Sequence, residues 1–208
     1  LNPKRDQLTS YEDLINSKWK KKIVIRSSSN VYNQSLIAAM IAVNGEKQTE
    51  DWCRGLVANF ARPPQGNDRA QIEAAASGMA NIAIANTYYL PRYAPGGKNA
   101  NPAIFNKIGV LFPNQGERGT HVNISGGGVV KTAPNRDNAI KFLEFLAEDY
   151  AQVFFAKANN EYPVVPGTPV APIIAEFGFP FKEDTTNVAK YGEYNAKAIK
   201  IMDRSGWK

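Results

Sequence analysis

The stretch that decides the fold is Asn81-Ile-Ala-Ile-Ala-Asn-Thr-Tyr-Tyr-Leu-Pro-Arg-Tyr93. Its small apolar start, residues 81–85, is typical of a buried strand, and the Asn-Thr pair that follows suits the first turn of a helix. Tyr88 and Tyr89 stand side by side at this junction. Neighbouring residues on a strand face opposite ways, so paired phenols converge most readily in a strand-to-helix turn. A doubly wound sheet binds its ligands at such turns.

The same pattern occurs earlier in the chain. Residues 22–26 predict a buried strand, Ser27, Ser28 and Ser29 form a polar turn, and residues 31–43 predict a helix with Tyr32 in its first turn and an end at Asn44-Gly45. A further strand is predicted at 108–112, and further helices at 49–61, 69–77, after residue 86, at 135–146, at 149–158 and near the end of 184–204. Strands that alternate with helices predict an α/β fold with a parallel sheet.

Composition excludes several classes of protein. The 208 residues suffice for one large core or two lobes, and 43% hydrophobic with 21% charged residues is ordinary for a globular chain. Leu1-Asn-Pro-Lys-Arg5 lacks the apolar core of a signal peptide, so we expect a mature or trimmed product. The net charge of +6 favours acidic partners, but without a recognition helix or an RNA-binding aromatic signature we expect no nucleic acid.

Single residues limit the chemistry further. Cys53 is the only cysteine and His121 the only histidine, which excludes an internal disulfide, a thiolate cluster and a two-histidine metal centre. We expect Cys53 to be a packed side chain and His121 a satisfied structural histidine in a strand, since no serine lies in a nucleophile-elbow motif. Gly126-Gly-Gly128 predicts a strand bend or a close backbone approach rather than a phosphate loop, because Val-Val follows it.

The tyrosines remain as candidate ligands. A free phenol has a pKa of about 10 and binds metals poorly at neutral pH. A strongly charged hard cation can hold it deprotonated, and three phenolates from Tyr32, Tyr88 and Tyr89 would neutralise a trivalent ion such as ferric iron. Arg92 lies one helical turn beyond and is placed to steady a phenolate or an anion. Adjacent tyrosines also serve packing or hydrogen bonding in many proteins, so both interpretations stay open at this point.

Four segments resemble the ferric-iron substrate-binding proteins of ABC importers, in their cyanobacterial iron-deficiency-induced (FutA-type) branch. The segments are Ile25-Arg-Ser-Ser-Ser-Asn-Val-Tyr-Asn33, Asn59-Phe-Ala-Arg-Pro-Pro-Gln-Gly-Asn-Asp68, Ile84-Ala-Asn-Thr-Tyr-Tyr89 and Val122-Asn-Ile-Ser-Gly-Gly-Gly-Val-Val130. The resemblance covers nearly the whole chain, and the double tyrosine is its most specific part.

The resemblance implies an α/β periplasmic-binding-protein-like fold of type II with transferrin-like lobes. It implies that Tyr32, Tyr88 and Tyr89 hold Fe³⁺ in an interlobe cleft, with Arg92 behind them. Relatives hold a synergistic anion, such as carbonate, phosphate or citrate, at positions that match Asn67, Asn86, Ser27, Ser28 and Ser29. It further implies a monomer in the periplasm that delivers iron to an ABC permease and is not an enzyme.

The resemblance also implies a domain division. Family members begin with a stretch that builds most of the first lobe and supplies a further ligand, whereas this chain starts where the second lobe begins. Residues 1–120 would form most of the second lobe, 121–165 a returning portion of the first, and 166–208 a tail that packs back on the second. The chain would then comprise one near-complete lobe and part of the other.

Two other functions are consistent with the residues. A two-lobed protein that binds an oxyanion or a small organic acid would use the serine turn, Asn67, Asn86 and Arg92. An enzyme would use Tyr88 or Tyr89 as a general acid, but no base or cofactor motif accompanies them.

Overall fold

The computed structural model describes residues 8–208, and Leu1–Arg5, from which we expected a trimmed product, lie outside this range. Two short strands are β1 (Ile23–Val24) and β2 (Ile82–Ala83), and 3₁₀ helices span Glu12–Ile15, Ser17–Trp19 and Thr87–Tyr93. The α-helices are α1 (Val31–Ala58), α2 (Asp68–Ala76), α3 (Pro102–Phe105), α4 (Arg136–Leu146), α5 (Asp149–Asn159), α6 (Pro172–Ala175) and α7 (Ala189–Arg204).

The sheet is parallel, as the alternation of strands and helices predicts. β1 pairs with β2, with Ile23 beside Ile82, and Ile23 also bridges to Phe60. The chain leaves β1 toward the serine turn and leaves β2 toward the two adjacent tyrosines. Because parallel strands end at the same edge of a sheet, the two turns are neighbours.

Two strand predictions are wrong. Residues 108–112 and Val129-Val130 form no strand in the structure. Phe112 instead stacks on Phe181, with ring centroids 4.2 Å apart, and Val130 is 66% exposed, so neither segment has a neighbouring strand to pair with. Gly126 and Gly128 lie in open space, and a close approach occurs only at Gly127, where an added Cβ would lie 3.0 Å from Leu143.

The core forms around α1, which packs against α7. Ile37, Leu56 and Trp207 belong to this core, and all three are fully buried. Cys53 lies in the same cluster, and burial raises the pKa of its thiol to about 12, which confirms it as a packed side chain. α1 bends at Gly45, where φ is 79° and ψ is 165°, so the predicted break of the helix at Asn44-Gly45 is confirmed. Among residues 8–208, no helix is both long and apolar enough to cross a bilayer.

The chain divides into two compact units. The first comprises residues 1–123 and 180–208, and the second residues 124–179. Residues 166–179 lie in the second unit, where the ring of Tyr162 stacks on Phe179 at 5.7 Å and Ile174 is fully buried. The assignment of these units to lobes of a longer protein stays a prediction.

The second unit is built from α4, α5 and α6. Ala151 and Ala156 of α5 are buried, while Phe142 and Phe154 are each 59% exposed. In the first unit, the backbone N–H of Thr120 donates to the carbonyl oxygen of Lys182, and the backbone N–H of Asp184 donates to the carbonyl oxygen of Thr120, each over 2.8 Å. Gly119 is required there, since an added Cβ would lie 2.4 Å from the carbonyl oxygen of Glu183.

Candidate metal centre

Two turns position the tyrosines, and the first of them is capped. Asn30 caps α1 by accepting a hydrogen bond from the backbone N–H of Tyr32 over 3.1 Å, which fixes Tyr32 in the first turn. After β2, Asn86 adopts an extended conformation and the 3₁₀ helix Thr87–Tyr93 begins. The sequence predicted an α-helix here, and Pro91 within the segment accounts for the difference, because it lacks the N–H that an α-helix needs.

The structure brings Tyr32, Tyr88 and Tyr89 together. The rings of Tyr88 and Tyr89 lie 4.5 Å apart with a tilt of 38°. The hydroxyl of Tyr32 makes hydrogen-bonding contacts with the hydroxyls of both, and Tyr88 and Tyr89 also interact with each other. The three phenol groups therefore lie close to one another, and their role as metal ligands stays a prediction.

Burial keeps the phenols of Tyr88 and Tyr89 protonated in the absence of a cation. It is the main cause that raises the pKa of Tyr88, and the neighbouring Tyr32 and Tyr89 add to it. Burial and the hydrogen bond with Tyr32 raise the pKa of Tyr89. Over the described range 8–208, no cluster of three His, Cys, Asp or Glu side chains is arranged to hold a metal ion. The phenols are thus the candidate oxygen ligands in this part of the molecule.

Two guanidinium groups flank the cluster. The Arg92 guanidinium carbon lies 5.4 Å from the ring centroid of Tyr89, so the structure places Arg92 beside the tyrosines. Arg26, which the sequence did not single out, lies 5.3 Å from the ring centroid of Tyr32. Cations at this distance attract the electron-rich face of a phenol ring and stabilise negative charge on it.

A buried ion pair holds the two turns together. Arg26 Nη1 lies 2.5 Å from Asp68 Oδ2, and the Asp68 side chain is 2% exposed. Asp68 Oδ1 also accepts a hydrogen bond from the backbone N–H of Asn86 over 2.9 Å. Loss of one partner would leave an unpaired buried charge, which is strongly destabilising. An arginine at the end of a buried strand was the available signal for Arg26, whereas nothing in the sequence singled out Asp68.

Asn86 lies next to Tyr88, and its predicted contact with an anion stays a prediction. Its Nδ2 donates to Tyr88 Oη over 3.3 Å, and its Oδ1 accepts from Asn123 Nδ2 over 2.9 Å. Ser35 Oγ in turn lies 2.5 Å from Asn123 Oδ1. Ser35 and Asn123 were not anticipated, because neither belongs to a recognisable motif and 88 positions separate them.

The remaining predicted residues form hydrogen bonds with groups other than the tyrosines. Asn67 caps α2 by accepting from the backbone N–H of Ala70 over 3.2 Å. Ser27 Oγ and Ser29 Oγ lie 2.6 Å from each other, and the backbone N–H of Ser28 donates to the carbonyl oxygen of Lys208. None of these hydrogen bonds connects to the tyrosines, so an anion-binding role for Asn67, Ser27, Ser28 and Ser29 stays a prediction.

His121 is half-buried beside Ser35. Its Nε2 lies 3.0 Å from Ser35 Oγ, and its ring lies 5.1 Å from that of Tyr191. Burial lowers the pKa of His121 to about 4, so the ring is neutral at pH 7. Nδ1 has no hydrogen-bond partner within the described range, which corrects the expectation of a fully satisfied histidine, and the residue lies in no strand. With no carboxylate on Nδ1, Ser35 and His121 lack the third member of a catalytic triad.

Residues 4–181 match the sequence family described as bacterial extracellular solute-binding protein. The chain belongs to this family. The solute-binding protein is 54% identical over 205 residues to iron uptake protein A1 of Synechocystis, a match that covers 99% of this chain and 57% of the relative. The chain thus spans just over half the length of that relative.

Solved structures agree with the family assignment. A Trichodesmium protein (IdiA, FutA) in complex with iron and citrate ligands is 58% identical, with a TM-score of 0.93 over 98% of this chain and 64% of that one. The ferric binding protein of Campylobacter jejuni is 35% identical, with a TM-score of 0.93 over 100% of this chain and 66% of that one. The predicted binding-protein fold and the resemblance to the FutA-type branch are confirmed.

Proposed function

We propose that this solute-binding protein binds ferric iron through the phenolate oxygens of Tyr32, Tyr88 and Tyr89. It would deliver the ion in the periplasm to the permease of an ABC-type importer. The observation that carries the proposal is the meeting of three phenol hydroxyls at the ends of two paired parallel strands. Relatives named for iron uptake, and one solved with iron and citrate, support the choice of ion.

Charge explains why the ion would be trivalent. Each phenol must lose its proton to bind, and burial opposes that loss at Tyr88 and Tyr89. A hard, highly charged cation reverses this preference, since its attraction for the anionic oxygen exceeds the penalty of burial. Three phenolates and one Fe³⁺ together carry no net charge, which keeps the cost of desolvating the site small.

A synergistic anion would complete the site. Arg92 and Asn86 lie beside the cluster and offer a cationic group and an amide donor. Carbonate, phosphate and citrate each present oxygen atoms that bind both ferric iron and such donors. We propose that Arg92 and Asn86 contact this anion, and that the iron site functions in the monomer.

The test is titration of the protein with ferric citrate. Phenolate-to-iron charge transfer gives a visible absorption band, which should develop in the wild type and in Cys53→Ala, whose thiol is buried in the core. The double variant Tyr88→Phe/Tyr89→Phe should lose the band. Tyr150→Phe is the matched control, because this tyrosine is 73% exposed in the second unit. Equal iron binding by the double variant and the control would show that the proposal is wrong.

The alternative is a binding protein for an oxyanion or small organic acid, favoured only by the position of Arg92 and Asn86. Calorimetric titration with phosphate, carbonate and citrate in iron-free buffer distinguishes the two functions. Tight anion binding without metal, together with no absorption band in ferric citrate, would favour the alternative.

A further inference from the structure

Hydrogen bonds continue from Tyr88 to the interior of the first unit. Asn86 Nδ2 lies 3.3 Å from Tyr88 Oη, and Asn123 Nδ2 donates to Asn86 Oδ1 over 2.9 Å. Ser35 Oγ lies 2.5 Å from Asn123 Oδ1 and 3.0 Å from His121 Nε2. These side chains come from three separate segments of sequence and form one continuous chain of contacts, which we call the amide relay.

The direction of the amide relay follows from its donors. A serine hydroxyl has one proton, and the Ser35 contact with Asn123 Oδ1, at 2.5 Å, is shorter than its contact with the Tyr32 carbonyl oxygen, at 3.0 Å. Ser35 therefore donates to Asn123, and its oxygen accepts from His121 Nε2. This tautomer leaves His121 Nδ1 without a hydrogen, which suits a buried nitrogen that has no partner within the described range. In each hydrogen bond of the amide relay, the donor then lies on the His121 side and the acceptor on the Tyr88 side.

The orientation of the Asn86 amide depends on this direction. The two ends of an amide have nearly the same shape, so contacts decide which end faces a given neighbour. Asn123 donates to Asn86 Oδ1 and thereby turns Asn86 Nδ2 toward Tyr88. The reversed amide would place an oxygen against the phenol oxygen, which is unfavourable once that oxygen is anionic. Asn123 is exposed to solvent, yet both ends of its amide bond to protein groups.

We infer, on the basis of the proposed function, that Asn123 and Ser35 are positioning residues that hold the Asn86 amide so that it donates to Tyr88 when Tyr88 binds ferric iron. Hydrogen bonds donated to a charged oxygen are about twice as strong as those between neutral groups. The amide relay thus favours the metal-bound form of Tyr88 over the free phenol. Asn123 is also the last residue of the first unit before the chain continues into the second.

Asn123→Asp is the variant that tests this role, because aspartate keeps the shape but has no N–H to donate. Asn86 would then turn its Nδ2 toward the new carboxylate and its oxygen toward Tyr88. We expect iron release to an excess of chelator to become about tenfold faster, as for the loss of one hydrogen bond to a charged group. The charge-transfer band should move to longer wavelength, because a phenolate without a donor is a better electron donor to iron.

The added negative charge of Asn123→Asp would by itself change the rate of iron release in the opposite direction. A carboxylate near the site would attract the cation and slow its release, so faster release identifies the loss of the donor. Ser35→Ala should shift the band in the same direction by a smaller amount, and Ser35→Thr, which keeps a hydroxyl, should restore it. Asn195→Asp is the matched control, since it removes a comparable amide bond, to Gln34 over 3.1 Å, that is not part of the amide relay.

An iron-free measurement completes the test. Nuclear Overhauser contacts between the Asn86 side-chain amide protons and the Tyr88 ring should be present in the wild type and in Asn195→Asp, and absent in Asn123→Asp. Unchanged contacts, release rate and band in Asn123→Asp would overturn the inference, as would equal changes in Asn195→Asp. A wild-type chain that develops no band would instead overturn the proposed function, and the inference with it.

Discussion

His121 is a neutral base enclosed by groups of both charges. Burial is the main cause that lowers its pKa to about 4, and Arg118 acts in the same direction, while the neighbouring Asn123 and Asp184 oppose it. The ring also faces Tyr191 and the hydroxyl of Ser35. A protonated His121 would have to be buried as a cation, so protonation and folding compete.

The first prediction is that the free energy of unfolding decreases when the pH is lowered, because His121 must be protonated in the unfolded chain. The folded-state pKa lies below the value of 6.5 for the unfolded chain. The unfolded chain therefore binds more protons between pH 6.5 and 4, and the free energy of unfolding decreases as the pH falls through this window. The full loss amounts to about 3 kcal/mol at 1.36 kcal/mol per pKa unit. Urea unfolding of the first unit at a series of pH values measures it.

His121→Gln supplies the control for this prediction. Glutamine can donate to Ser35 and does not titrate, so its stability should change little between pH 6.5 and 4.5. Carboxylates that ionise more easily in the fold, such as Glu12 and Asp13, contribute chiefly below that range. If wild type and His121→Gln lose stability in parallel, the pKa of His121 is not what limits the protein at low pH.

Among the elements, α1 illustrates how a single residue shapes a long helix. Gly45 has φ 79° and ψ 165°, a conformation that is essentially restricted to glycine. Thr49 Oγ1 donates to the Gly45 carbonyl oxygen over 2.8 Å and stabilises the restart of the helix after the bend. Because of this bend, residues on both sides of it, such as Ile37 and Leu56, are buried in the same core.

The second prediction concerns this bend. Gly45→Ala should reduce the free energy of unfolding by about 1–3 kcal/mol, since alanine is strained at positive φ. Open space surrounds the position, so a steric clash would not contribute. Gly192→Ala is the matched control: it lies within α7, also in open space but without positive φ, and alanine there should stabilise the helix by about 0.5–1 kcal/mol. The free energy of unfolding is measured by thermal or urea unfolding. A change of the same sign in both variants would contradict the conclusion that the bend requires glycine at position 45.

The elements also show which parts of the structure a sequence can reveal. The long helices α1, α2, α4, α5 and α7 and the strands β1 and β2 were predictable, because their signals are local: apolar periodicity and caps such as Asn30 and Asn67. The short helices α3 and α6 were not predicted. The strand at 108–112 was not, because a strand requires a neighbour, and an apolar run does not state whether one exists. Pro91 could have indicated that the turn after Asn86 is a 3₁₀ helix.

The residues of the candidate site also divide into those that the sequence could indicate and those that only the folded chain reveals. Tyr32, Tyr88 and Tyr89 could be proposed because they occupy equivalent positions after two strands, and a parallel sheet brings such positions together. Asn123 contacts Asn86 across 37 positions and Ser35 across 88, and no local pattern encodes those distances. The residues that surround the phenols thus became apparent only from the folded chain.

For the first unit as a whole, the C-terminal end of the chain reinforces the strand that leads to the site. Trp207 is fully buried and packs edge-on against Phe60, with ring centroids 5.7 Å apart. Its Nε1 donates over 3.0 Å to the carbonyl oxygen of Arg26, a residue 181 positions earlier. Arg26 itself lies beside Tyr32 and is paired with Asp68. The end of the chain therefore stabilises the turn from which the first candidate ligand projects.

The last prediction is that Trp207→Ala destabilises the first unit by about 3–5 kcal/mol, because it leaves a large cavity in the core. Trp207→Phe should cost only about 1 kcal/mol from the lost hydrogen bond, since the Arg26 carbonyl oxygen also accepts from Asn33 Nδ2 over 3.0 Å and stays satisfied. Ile199→Ala, at a residue 42% exposed on α7, should change the free energy of unfolding by less than about 1 kcal/mol. Urea unfolding monitored by far-ultraviolet circular dichroism measures all three. A cost for Trp207→Ala no larger than that for Ile199→Ala would mean that the C-terminal end contributes little to the core and to the stability of the turn that follows Arg26.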